Sequence, residues 1–150
     1  MFNESIKFDT LYEFKPCKPG LKRAKELGFE KGKDHELNLE YVLEHGTRMD
    51  AIWFAHCLPD STEKLLFLAE VVSRATKEGL IAENKIAQRI RQYVVTGDSI
   101  YLTEVDPSLV VDDLDKLSEG SLVYLVNVLT QTLRGELNLI EEAKRYFKDY

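Results

Sequence analysis

Of the reactive side chains, His45, Asp50 and His56 sit near one another in the sequence, and Cys17 and Cys57 could join them. A zinc site would need three or four of them to converge, usually from paired spacings such as Cys-x-x-Cys or His-x-x-x-His. No such pair occurs, and adjacent residues such as His56 and Cys57 point about 100° apart on a helix. No metal site is expected. A Cys–His nucleophile pair is the second chemistry. Cys57 lies in an apolar run, where burial raises a thiol pKa, whereas Cys17 opens a helix, where a thiolate is favoured. Cys17 with His45 or His35 is thus the stronger pair, yet nothing in the spacing fixes its geometry. A small residue at a helix start explains Cys17 more simply. The third chemistry is a small-molecule pocket lined by His45, Trp53 and His56, with Cys17 beside them. Against it stands a plainer role for His56, a buried ring with one hydrogen-bond partner.

Other motifs are missing. There is no G-x-S-x-G, H-E-x-x-H or Walker-type pattern, and Gly20, Gly28, Gly32 and Gly46 fall at helix ends. Paired carboxylates for acid–base work cannot be read from one sequence. The sequence therefore gives no catalytic residue and no cofactor.

The element that must position these groups is T-R-M-D-A-I-W-F-A-H-C-L, residues 47–58, which carries the only Trp. Thr47 and Asp50 have the spacing of a reciprocal helix cap, and Pro59 stops the run. Its apolar residues spread around the helix, predicting burial on more than one face. Before it, P-C-K-P-G-L-K-R-A-K-E-L-G reads as a helix with Leu21, Ala24 and Leu27 inward, and a short helix follows from Leu37 to His45. After it, Asp60 or Ser61 caps a long helix to Glu78, with Leu65, Leu68, Ala69 and Val72 as its stripe. Helices are also expected over 83–95, from Asp106-Pro107 to Leu117, from Ser121 to Leu133 and from Glu136 to Phe147.

The expected fold class is all-α, a compact bundle of about seven short helices, with a short strand open as an alternative at 99–105 or at the N-terminus. Residues 1–15 set six apolar side chains among charges and fit neither periodicity, so an extended arm whose aromatics pack over the domain is expected. With 150 residues, 44% hydrophobic and 31% charged, one domain over 1–150 is expected. No signal-peptide pattern and no spanning run occur, so a cytoplasmic protein with two free thiols is expected.

Charge is uneven. Residues 1–33 hold eight Lys or Arg against five acids, whereas Asp98–Glu119 holds seven acids and only Lys116. The net charge of −6 argues against direct nucleic-acid binding. Glu104, Asp106, Asp112, Asp113 and Asp115 form either a solvated helix face or a negative patch that steers a partner with a basic surface.

P-C-K-P-G-L-K-R-A at 16–24, followed by G-T-R-M-D-A-I-W-F at 46–54, resembles a module of small uncharacterised bacterial and phage proteins. That module pairs a Cys-x-x-Gly-Leu helix with a later Gly…Asp-x-x-Trp helix, and some of its members carry an immunity-protein label. An aromatic residue often follows its Gly-Leu, whereas Gly20-Leu21 is followed here by Lys22 and Arg23. The resemblance covers about the first 60 residues and implies an accessory or protein-binding role with no catalytic site. The expectation is therefore a small acidic binding protein of immunity, inhibitor or phage-accessory type, using 104–119. An enzyme or small-molecule sensor built around Trp53 and His56 is the alternative, and an acidic nucleic-acid mimic is the third.

Overall fold

The computed structural model describes residues 2–80, 85–103 and 115–146. The chain is mostly α-helical, as expected. Its elements run β1 (Ile6–Lys7), a 3-10 helix (Phe8–Phe14), α1 (Lys18–Glu26), β2 (Glu36–Leu37), α2 (Leu39–His45), α3 (Arg48–Cys57) and α4 (Thr62–Lys77). They continue with α5 (Lys85–Thr96), α6 (Ile100–Thr103), α7 (Glu119–Leu133) and α8 (Leu139–Tyr146).

Helix starts follow side-chain chemistry. In α3 the Asp50 N–H donates to Thr47 Oγ1 at 3.2 Å and the Thr47 N–H donates to Asp50 Oδ2 at 3.0 Å, a closed capping box. Ser61, rather than Asp60, caps α4 by accepting the Lys64 N–H. The cap of α7 lies earlier than expected, at Ser118 instead of Ser121. The cause is Glu78 at the end of α4, whose carboxylate accepts the Ser118 N–H at 3.0 Å and the hydroxyls of Ser118 and Ser121.

The core has a different centre from the one the sequence suggested. α3 packs on α2, α4 and α7 and buries Ala51, Ile52, Phe54, Ala55, His56 and Cys57. α4 goes further: α3, α5, α7 and α8 pack around it, and every residue from Lys64 to Ser73 is buried. An apolar stripe becomes a helix buried all round because its neighbours enclose it. Two charges are carried inside as a result. Lys64 is satisfied there, its Nζ donating to the Leu58 carbonyl at 2.8 Å and to Asp60 Oδ1 at 3.1 Å. Glu70 accepts the Tyr124 hydroxyl at 3.2 Å, and burial raises its pKa above the ordinary carboxylate value.

The N-terminal segment is not an extended arm throughout. β1 pairs antiparallel with β2, Ile6 opposite Leu37 and Lys7 opposite Glu36. The following 3-10 helix buries Phe8 and Leu11. Phe2 is also buried, its ring 6.0 Å from that of Phe67. Of the 99–105 segment, Ile100–Thr103 is a helical turn instead of a strand. The helix expected from Asp106 to Leu117 lies largely outside the described residues. Among the described residues, no helix is long and apolar enough to cross a membrane.

Candidate functional site: the cavity under α1

α1 is amphipathic but incompletely seated. Cys17 caps it, Sγ accepting the Gly20 N–H at 3.4 Å, and Lys18, Lys22 and Lys25 point to water. Its inward residues are Leu21, Ala24 and Leu27. None of its nine residues is buried, and Leu27, at its C-terminal cap, is 42% exposed. The gap that this leaves is a cavity of about 400 Å³ between α1, α2, α3 and the 3-10 helix.

A two-armed ion pair ties α1 to α3 across this gap. Arg23 Nε donates to Asp50 Oδ2 at 2.7 Å and Nη2 donates to Oδ1 at 2.5 Å. Burial pushes the Asp50 pKa up, but the Arg23 and Thr47 hydrogen bonds and the Arg23 charge outweigh it, so the carboxyl titrates below its ordinary value. The same hydrogen bond raises the pKa of Arg23. Gly46 permits the close approach of the end of α2 to Asp50 on α3, because a Cβ there would stand 2.9 Å from the Val42 carbonyl and 3.1 Å from Asp50 Cβ.

The cavity floor is apolar. Phe8, Leu37, Val42 and Phe54 form it, α1 contributes Leu21 and Ala24, and α3 contributes Met49 and Trp53. Rings line one side, with Phe8 5.5 Å from Phe29, Phe29 5.6 Å from Tyr41, and Tyr41 4.3 Å from His45. Polar groups stand mostly at the mouth: Lys15, Cys17, His45 and Asp115 are all exposed.

Of the pocket residues expected from sequence, His45 and Trp53 line this cavity, together with Cys17. Trp53, expected as a packing anchor, is half-buried in the wall. His56 does not join them. It is 4% exposed in the core, and neither ring nitrogen has a hydrogen-bond partner among the described residues, so the expected single partner is missing too. Burial, aided by the Lys64 charge, pulls its pKa down to about 4. The grouping fails because α3 is buried on more than one face, so nearness in sequence to Trp53 does not share a cavity. Burial pushes the Cys57 thiol up to about 12, against the Lys64 charge, and its Sγ donates to the Trp53 carbonyl at 3.4 Å.

Glu104, Asp106, Asp112 and Asp113 lie outside the described residues. Asp115 stands exposed at the cavity mouth. The sequence reading missed Arg23 as Asp50's partner, and Tyr41, Met49 and Leu21 as wall residues. No local signal joins Arg23 to Asp50, since they lie 27 residues apart in the chain.

Asp50 already accepts three N–H groups, and Cys17 Sγ accepts the Gly20 N–H. Among the described residues, no three His, Cys, Asp or Glu side chains gather as a metal site would require. Compared with known proteins, the chain matches no family model, no curated protein and no solved structure.

Proposed function

We propose that this chain is a non-catalytic binding protein whose recognition site is the cavity under α1. One observation carries the reading: an apolar cavity of about 400 Å³ opens to solvent between α1 and α3, with its one inner carboxylate already accepting three N–H groups. Ligand cavities of 300–1,000 Å³ with apolar walls and a few polar groups are the usual form of small-molecule sites. In this reading the chain works as a small-molecule sensor or carrier in the cytoplasm.

A second reading has its own support. The net charge of −6 and the exposed Asp115 beside the cavity suit an acidic accessory factor, of immunity, inhibitor or phage-accessory type. Such a factor would seat an apolar side chain of a partner with a basic surface.

Filling the cavity tests the site. Ala24 lies on a helix with no buried residue, so Ala24→Phe can place a ring in the gap without overpacking the core. Apolar compounds that raise the Tm of the wild type should raise that of the variant far less. No Tm response in the wild type to any apolar compound, or equal responses in both proteins, would overturn the cavity as the site.

A further inference from the structure

Charge is unevenly placed around the cavity. The Arg23–Asp50 pair is neutral as a unit, Asp50 accepting from Nε and Nη2 of the guanidinium and from the Thr47 N–H. The other formal charges of the wall, Lys15 and Asp115, are one of each sign and stand exposed at the mouth. The His45 ring is also there, its side chain 40% exposed. An ionised group drawn beneath α1 would lose its water without meeting an uncommitted counter-charge, and such burial is strongly unfavourable. An uncharged apolar group incurs no such loss and gains from leaving water.

Shape adds a second constraint. Phe8, Phe29, Tyr41, Trp53 and Phe54 all face this space, and ring walls favour ring ligands through edge and face contacts. α1 supplies the remaining wall. Its segment is bounded by Lys15 at φ 53° and Gly28 at φ 96°, both left-handed, and its apolar stripe has nothing packed deeply enough against it to bury a residue. A ligand seated below would complete that burial.

We infer that the cavity takes a small uncharged molecule with a ring-shaped apolar body, covered by Leu21, Ala24 and Leu27 of the α1 segment. The inference rests on the binding reading above and adds the charge and shape of the ligand.

Trp53 is the only Trp, so ¹⁵N-labelled protein gives one indole N–H signal, and it comes from the cavity wall. Three probes share a methylbenzene ring and differ in charge at pH 7: p-cresol is neutral, 4-methylbenzoate is an anion and 4-methylbenzylamine is a cation. Titration with p-cresol should move the Trp53 signal saturably, with a Kd at least tenfold below that of either charged probe. Ala24→Phe should abolish the movement. A charged probe within tenfold of p-cresol overturns the ligand class while leaving the cavity as a binding site. No movement with any probe overturns both.

Discussion

Asp50 serves two structural purposes with one carboxylate. It closes the cap of α3 and receives the Arg23 fork from α1. Removing each partner should therefore give unequal losses. The pair is partly solvated, its side chains 34% and 21% exposed, so Arg23→Met should cost about 1 kcal/mol. Asp50→Ala loses the cap as well and should cost about 2 kcal/mol. A double-mutant cycle by urea denaturation checks this, and strictly additive losses would deny the coupling.

His56 carries a pH signature at the same scale. Its folded pKa, about 4, lies below its ordinary 6.5, so between these values the unfolded chain binds a proton that the folded chain does not. Stability should then be complete above pH 6.5 and fall as pH drops toward 4. The loss should be on the order of 3 kcal/mol. In His56→Leu this part of the acid loss should vanish. Urea midpoints at pH 7 and pH 4.5 compare the two proteins, and equal acid sensitivity would show that His56 is solvated.

At the scale of elements, α1 and α4 stand at opposite ends of burial. α4 is enclosed from Lys64 to Ser73, whereas α1 has no fully buried residue and is tied to α3 through Arg23 and Asp50. Local opening free energies follow such differences in packing. Amide protons of Leu21–Glu26 should exchange by local opening, orders of magnitude faster than those of Leu66–Val72, and Arg23→Met should speed only the first set. Equal protection in both helices would mean that α1 is part of the cooperative core.

The sequence predicted these helices with differing success. α3 was legible because Thr47, Asp50 and Pro59 mark its ends locally. The true start of α7 was not, since Glu78 selects Ser118 across 40 residues of chain. The full enclosure of α4 was hidden for a related reason: periodicity shows a preferred inner face, while neighbours determine whether the outer face is covered too. The β1–β2 pairing was equally hidden, because two-residue strands leave no alternation to read.

For the whole molecule, the candidate site arises where two distant stretches meet. Residues 16–24 and 46–54 both line the cavity, and Arg23 joins them through Asp50. His45 and Trp53 could be named from sequence as pocket residues, because an imidazole at the end of α2 and the only Trp, on α3, are conspicuous. Phe8, Leu37 and Met49 could not, as apolar side chains look alike whether they fill a core or line a gap.

The central claim is that an apolar ligand sits beneath α1, and nuclear Overhauser contacts from the p-cresol methyl group locate it directly. Contacts should reach the methyl groups of Leu21, Ala24 and Met49, which line the cavity. Contacts confined to the exposed apolar side chains Val95 and Ile100, with none to α1 or α3, would contradict it.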